Sequence, residues 1–192
     1  MIKIFSVIFD MDGTLLDTER ICIPAWDRAG EKQGFQNVGK HIPNVCGTNA
    51  AGSSAYLAHT FPTMNVPAFK QDVRNYIEKH LVVQYKPGAK ELVGFLKEKG
   101  VKLALASGSS HDSIDHHLKA VGATDYFDVI VSGGDVQNGK PAPDIFLLTA
   151  QKMGVNPQDC YVIEDSKNGI KAATAAGMRC IGIPELVPFD DE

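Results

Sequence analysis

The hydrophobic and polar positions along this chain predict a regular series of strands and helices. A short apolar run at residues 4–9 is typical of a buried strand. From residue 86 onward, short apolar runs alternate with amphipathic segments of about ten residues. The predicted strands are residues 101–106, 128–131, 160–163 and 179–183. The predicted helices are residues 88–99, 112–121, 143–153 and a last segment ending near 176.

The helix predicted at residues 88–99 has characteristic residues at both of its ends. Pro87 precedes it and Gly100 ends it, while Leu92, Phe95 and Leu96 are expected to line one face. Strands that alternate with helices of this length form βαβ units. We therefore predict an α/β fold of Rossmann-like type, a parallel sheet with helices on both faces.

Residues 17–81 follow a different pattern, with helical segments broken by Gly and Pro and no strands. The candidates are residues 17–33, 50–59 and 67–83, the last of which carries an apolar stripe through Phe69 and Val73. We predict an inserted α-helical cap domain at residues 17–81. The catalytic core domain is then formed by residues 1–16 and 82–192, and the insert is placed to cover the end of the first strand.

Composition narrows the classes of partner. The chain has 192 residues, of which 44% are hydrophobic and 22% charged, and its net charge is −4. This charge gives no reason to expect nucleic acid or a membrane surface as partner, so a local site or a metal must attract any phosphate. No apolar run approaches the roughly 20 residues that span a bilayer. The four cysteines are far apart, which indicates reduced thiols in a cytoplasmic protein. We expect a monomer, and a dimer remains open.

Polar residues follow each of the first four predicted strands. In parallel α/β sheets, ligands bind at the carboxyl ends of the strands. Loops are polar in any fold, so one such segment carries little weight, but four together predict a site. The segments are Asp10-Met11-Asp12-Gly13-Thr14, Ser107-Gly108-Ser109, Gly139-Lys140-Pro141 and Glu164-Asp165-Ser166.

The first of these segments predicts phosphoryl transfer. Asp10 and Asp12 lie two residues apart, so on an extended chain their side chains point the same way. One carboxylate can attack phosphorus, and the second can protonate the departing alcohol and later deprotonate water. The alternative is an Asx turn after a strand.

The other segments would neutralise the phosphate. Mg²⁺ held by Asp10, Asp165 and one backbone carbonyl fits the preference of this ion for oxygen. Lys140 would supply a point charge, and Ser107 with the Gly108 amide would donate to phosphate oxygens. The alternatives are a helix N-cap for Asp165 or Ser166, an ordinary turn at residues 107–108 and a surface charge for Lys140.

At these residues the sequence resembles the haloacid dehalogenase-like hydrolases, and among them the β-phosphoglucomutase-like phosphatases. The matching stretches are FDMDGTLLDTE (residues 9–19), ALASGSS (104–110), GKPAPDIF (139–146) and VIEDSKNGIKAATAAGM (162–178). The resemblance implies that Asp10 is the nucleophile and Asp12 the general acid/base, and that Ser107 and Lys140 bind phosphate. It further implies Mg²⁺ bound by Asp10, Glu164, Asp165 and the main-chain oxygen of Asp12, with the insert as a cap that selects the substrate.

Three departures from that pattern bear on the reaction. The cap loop at residues 45–50 lacks the arginine usual near β-phosphoglucomutase, and Cys22 stands about where the mutase has a cap histidine. Both changes favour hydrolysis over mutase activity. Such proteins also usually continue for a further strand and helix beyond the region of residues 177–178.

The sequence therefore predicts a Mg²⁺-dependent phosphatase acting on a small phosphorylated metabolite, a sugar phosphate in particular, whose identity stays open. A sugar phosphomutase is the nearest alternative, and a dehalogenase, a phospho-accepting signalling module and an inactive scaffold are more remote. Trp26, residues 47–50 and Tyr56 are expected to contact the leaving group. The six histidines, including His116 and His117, are interpreted as surface or helix residues.

Overall fold

The computed structural model describes residues 6–45 and 48–183 and contains one parallel five-stranded sheet. The strands are β1 (Ser6–Phe9), β2 (Lys102–Ser107), β3 (Val129–Ser132), β4 (Cys160–Glu164) and β5 (Arg179–Gly182). Their order in the sheet is β3-β2-β1-β4-β5, so the first strand is central. Residues 4 and 5 of the first predicted strand lie outside the described residues.

Seven α-helices occur in the described residues. They are α1 (Cys22–Glu31), α2 (Ala50–Thr60), α3 (Val66–His80), α4 (Ala89–Glu98), α5 (His111–Ala120), α6 (Asp144–Met153) and α7 (Lys167–Ala175). Short 3₁₀ helices occur at Val38–Asn44, Thr124–Tyr126, Gly133–Asp135 and Pro157–Asp159. Within the described part of the chain, no helix is long and apolar enough to cross a bilayer.

The sheet is covered on both faces, which confirms the predicted fold class. Along β2, Leu103 and Leu105 enter the cluster packed by α4 and α5, whereas Ala104 and Ala106 enter the cluster packed by α6 and α7. Successive side chains of a strand point to opposite faces. Because both faces are buried, these strands read as continuous apolar runs instead of alternating ones.

The helical insert packs around a third cluster of its own. Helices α1 and α3 contribute most of it, and the Trp26 ring meets Phe69 edge to face at a centroid distance of 5.4 Å. Trp26 is thus buried inside the insert, contrary to its expected place beside a leaving group.

The chain enters and leaves the insert along neighbouring paths. The Asp17 N–H donates to the Gln84 carbonyl at 2.9 Å, and the Lys86 N–H donates to the Leu15 carbonyl at 3.0 Å. An antiparallel bridge between Leu16 and Tyr85 lies between them. The two chain segments that join the insert to the core thus pair with each other close to the predicted domain boundaries. These boundaries, after residue 16 and after residue 81, stay predictions.

Two helices differ from their predicted form. The buried face of α4 is formed by Ala89, Val93 and Leu96, while Leu92 and Phe95 are exposed. The prediction is confirmed for Leu96 and wrong for Leu92 and Phe95. Positions 89, 93 and 96 follow the helical spacing that faces the core. The first cap helix begins at Cys22 instead of 17, which places Pro24 in its first turn, where no N–H is needed.

Candidate active site

Asp10 lies at the middle of the carboxyl edge of the sheet because β1 is the central strand. The preceding residue, Phe9, pairs with Leu105 of β2 and with Ile163 of β4. The Asp10 N–H donates to the Ile163 carbonyl at 3.0 Å. The residues that follow β2 and β4 therefore flank Asp10 on its two sides. Asp10 is only 5% exposed.

Lys140 places a buried ammonium between two carboxylates. Its Nζ donates to Asp10 Oδ1 at 2.6 Å, to Glu164 Oε1 at 2.7 Å and to the Ala106 carbonyl at 3.4 Å. Burial alone would lower the pKa of Lys140, but the charges of Asp10 and Glu164 outweigh it and raise this pKa above its ordinary value. Lys140 thus stays protonated beside Asp10, and the alternative of a surface charge is wrong.

Glu164 is fully buried, and both of its oxygens are engaged. Oε1 accepts from Lys140, and Oε2 accepts from the N–H and the hydroxyl of Ser166 at 2.7 and 2.9 Å. A Cβ at Gly169, in the first turn of α7, would overlap the Glu164 carboxylate. This geometry shows Glu164 holding Lys140, while direct binding of Glu164 to a metal stays a prediction.

Asp165 packs beneath the first loop. Its Oδ1 accepts from the Thr14 hydroxyl at 2.7 Å. Gly13 adopts φ +82°, and a Cβ there would overlap Asp165 Oδ2, so glycine serves both the turn and the close approach of this carboxylate. Thr14 was not among the predicted site residues, although it stands in the same loop as Asp10 and Asp12.

The site gathers three buried carboxyl groups, those of Asp10, Glu164 and Asp165, around one buried ammonium. Burial raises the pKa of Asp10 well above its ordinary value; Lys140 opposes this rise, while Glu164 and Asp165 add to it. Burial, followed by the charge of Glu164, raises the pKa of Asp165 to about 7. Lys140 therefore offsets only part of the charge of the buried carboxylates.

A bound cation would offset the charge of these crowded carboxylates. Within residues 6–45 and 48–183, no three His, Cys, Asp or Glu side chains form a ready-made metal cluster. Mg²⁺, however, commonly binds one or two protein carboxylates, keeps several waters and takes up substrate phosphate. The carboxylates of Asp10 and Asp165, together with the main-chain oxygen of Asp12, fit that smaller donor set.

Asp12 faces two different groups with its two oxygens. Oδ1 accepts from the Thr18 hydroxyl at 2.6 Å, and Oδ2 accepts from the hydroxyls of Ser109 at 2.8 Å and Ser107 at 3.3 Å. The Ser109 N–H in turn donates to Ser107 Oγ at 3.1 Å. The serine loop after β2 thus lies directly against the candidate acid/base residue.

Gly108 lies in the same loop, where its carbonyl packs against the start of the 3₁₀ helix after β3. A Cβ at Gly133 would come within 2.5 Å of the Gly108 oxygen, so the two backbones approach closely. The structure therefore brings Asp10, Asp12, the serine loop, Lys140, Glu164 and Asp165 together at one edge of the sheet. Their individual roles remain predictions.

His117 on α5 is a neighbour of Asp12 that the sequence reading missed. Its side chain is 13% exposed, and its Nδ1 lies 3.9 Å from Asp12 Oδ1. Burial lowers the pKa of His117, although the charge of Asp12 opposes the shift. The helical spacing could have revealed this position. Residues 114, 117 and 118 lie on one face of a helix, and Ile114 and Leu118 on that face are buried.

The insert contacts the core beside Lys140. A Cβ at Gly139 would come within 2.7 Å of the Asn49 side chain, which caps α2 by accepting from the Gly52 N–H. Gly47, the first of residues 47–50 expected to contact the leaving group, lies outside the described residues, as does Cys46. Tyr56 is half-buried within the insert, and its hydroxyl accepts a hydrogen bond from the Asn44 side-chain amide.

Comparison with known proteins decides the family. A family model described as haloacid dehalogenase-like hydrolase matches residues 7–183. The chain belongs to the haloacid dehalogenase-like hydrolases. Among solved structures of related proteins, CbbY from Rhodobacter sphaeroides in complex with phosphate superposes with a TM-score of 0.79 and 26% identity. That alignment covers 96% of this chain and 88% of the other.

Curated relatives of this haloacid dehalogenase-like chain include phosphatases. The phosphorylated carbohydrates phosphatase of Thermotoga maritima is 35% identical, over 92% of this chain and 83% of its own length. Hexitol phosphatase B of Escherichia coli is 33% identical, over 95% and 84% respectively. The chloroplastic protein SUPPRESSOR OF QUENCHING 1 of Arabidopsis thaliana is 36% identical over 94% of this chain, which spans only 18% of that protein.

Proposed function

We propose that this chain is a Mg²⁺-dependent phosphatase that hydrolyses a small phosphorylated metabolite through a phospho-aspartate on Asp10. The observation that carries the proposal is the buried Lys140 ammonium, 2.6 Å from Asp10 and 2.7 Å from Glu164. A fixed cation beside a buried carboxylate is what an anionic nucleophile needs in order to meet a phosphate dianion.

In the first half-reaction, Asp10 attacks phosphorus in line with the departing oxygen, forming an acyl phosphate as the P–O ester bond breaks. Asp12 transfers its proton to the departing alcohol. In the second half-reaction, Asp12 takes a proton from water, whose oxygen attacks the phosphorus and restores the Asp10 carboxylate. Lys140 neutralises part of the charge on the phosphoryl oxygens. The Ser107 hydroxyl and the Gly108 N–H donate hydrogen bonds to these oxygens.

Asp10, Asp165 and the Asp12 main-chain oxygen would hold the metal. When bound, Mg²⁺ supplies positive charge at the phosphoryl oxygens and offsets the crowded carboxylates. Asp10 must be ionised to attack, yet burial raises its pKa. Lys140 opposes that rise, and a second cation would oppose it further.

Hydrolysis is favoured over a mutase reaction by the character of Cys22. Burial, followed by the charges of Asp12 and Glu19, raises the pKa of this thiol to about 12. Cys22 is therefore a weaker acid than an ordinary cysteine, which disfavours it as the acid/base group of a second phosphoryl transfer. The absence of an arginine from residues 45–50 points the same way.

A sugar phosphate is the proposed substrate class. Support comes from the relatives, whose names specify phosphorylated carbohydrates in one case and a hexitol in another. The proposed setting is the cytoplasm, where such metabolites occur, and the proposed partner is the small metabolite alone.

A phosphate-release assay tests the function. The purified chain is incubated with sugar phosphates, hexitol phosphates, nucleoside monophosphates, phosphoglycolate and p-nitrophenyl phosphate, with Mg²⁺ and with EDTA. Hydrolysis that requires Mg²⁺ and is strongest on a sugar or hexitol phosphate is the expected result. If no phosphate ester is hydrolysed at any Mg²⁺ concentration, the chain is a scaffold or a signalling protein.

A further inference from the structure

His117 is a partly buried polar side chain on a helix face that otherwise packs apolar residues. Ile114 and Leu118, its neighbours on the inward face of α5, are each about 1% exposed. Nδ1 of His117 is buried and has no hydrogen-bond partner among the residues that the structure describes. Leaving a buried nitrogen unsatisfied is costly, so its placement calls for a partner that comes into reach during function.

Asp12 is an acidic group close to Nδ1 of His117, and it faces this nitrogen with its Oδ1. Asp12 Oδ1 faces Thr18 and His117, whereas Oδ2 faces the serine loop where phosphate is proposed to bind. The distance of 3.9 Å from Nδ1 to Oδ1 is too long for a hydrogen bond. A shift of the carboxylate by about 1 Å would make one, and catalytic hydrogen bonds are often long before substrate binds.

We propose that His117 is a positioning residue for Asp12, which donates from Nδ1–H to Asp12 Oδ1 and thereby leaves Oδ2 to exchange the proton with the leaving group and with water. The proposal rests on the phosphatase function and deepens it. Oδ1 accepts this hydrogen bond whether Oδ2 is protonated or ionised, so His117 itself neither gains nor loses a proton in the reaction.

Two aryl phosphates separate this role from a structural one. Phenyl phosphate and p-nitrophenyl phosphate have similar shapes but different leaving groups. Unsubstituted phenolate is a poor leaving group that needs a proton from a general acid, whereas p-nitrophenolate can leave without one. We expect His117→Leu to lower kcat/KM for phenyl phosphate by roughly tenfold or more, because kcat/KM reports the steps through departure of the leaving group. For p-nitrophenyl phosphate, the expected loss is less than about threefold.

Conservative variants locate the effect on one nitrogen. His117→Asn retains a donor near the position of Nδ1 and should recover most of the phenyl phosphate activity, whereas His117→Gln retains one near Nε2 and should not. His116→Leu, the same change at the exposed neighbour, is the matched control and should be silent. In an Asp12→Asn background, His117→Leu should add no further loss, since the two residues act together.

The possible failures are distinguishable. If wild type hydrolyses neither these two esters nor any ester of the phosphate-release assay in Mg²⁺, the phosphatase function is wrong and the positioning role falls with it. If wild type is active and His117→Leu loses activity equally on both esters, or loses none, the positioning role alone is overturned. Should the leucine variant not fold, equal activities of the Asn and Gln variants would overturn it as well.

Discussion

Replacing Lys140 by methionine removes the charge at the centre of the site and keeps most of the side-chain length. In the structure, the Lys140 side chain is 1% exposed, and its ammonium lies within 2.7 Å of both Asp10 and Glu164. The change therefore leaves two carboxylates buried without their counter-ion. We expect the variant to fold but to be much less stable than the wild type.

The magnitude follows from the burial of the ion pair. Breaking a buried pair by removing one partner costs about 3–5 kcal/mol, because the remaining charge is left uncompensated. For a domain of this size, each kcal/mol corresponds to about 2–4 °C in Tm. The expected fall in Tm for Lys140→Met is therefore roughly 6–20 °C.

The dependence on pH separates a charge effect from a packing effect. Burial already raises the pKa of Asp10, and loss of Lys140 removes the charge that opposes this rise. A carboxyl with a raised folded-state pKa destabilises the fold only when it is ionised. The deficit of Lys140→Met is thus full above that folded-state pKa and diminishes as the pH falls toward the ordinary Asp value of about 4.

The assay is urea or thermal unfolding at several pH values between about 8 and 5, in EDTA so that no bound metal contributes. Lys119→Met is the matched control, since Lys119 pairs with Asp115 at 2.6 Å on the exposed face of α5. It should change the free energy of unfolding by less than about 1 kcal/mol. A deficit below about 1 kcal/mol for Lys140→Met, or one that is the same at all pH values, would refute the reasoning.

Three further predictions concern the site. Asp10→Asn should abolish turnover and trapping by beryllofluoride, because an amide is a poor nucleophile; a wild-type rate would contradict the mechanism. Asp12→Ala should accumulate phosphoenzyme from p-nitrophenyl phosphate in rapid-quench experiments, whereas unchanged hydrolysis would remove Asp12 from the base role. Gly169→Ala should cost about 1–3 kcal/mol and lower kcat/KM, since its Cβ would displace the Glu164 carboxylate that holds Lys140. Its control is Gly94→Ala in α4, where the Cβ meets nothing within 4 Å and helix propensity should stabilise by up to about 1 kcal/mol.

Several details of the site could not be predicted from the sequence. Each depends on the direction in which a side chain points, which the residue type does not determine. Glu164 could be assigned to the acidic edge, but only the packing of α7 turns its carboxylate toward Lys140 and Ser166. His117 could be seen as histidine within a helix, yet its nearness to Asp12 depends on how α5 is rotated against the sheet. In the same way, the rotation of α4 leaves Leu92 and Phe95 exposed, although the sequence pattern placed them on the apolar face.

The sequence by itself determined the α/β fold, because apolar runs buried on both faces and helices of about ten residues between them permit little else. It also determined the set of polar residues at the carboxyl ends of the strands. Only the tertiary structure decided which of them are neighbours. The strand order places β1 between β2 and β4, so Asp10 lies between the serine loop and the acidic pair. That order depends on long-range pairing, which local hydrophobic periodicity does not encode.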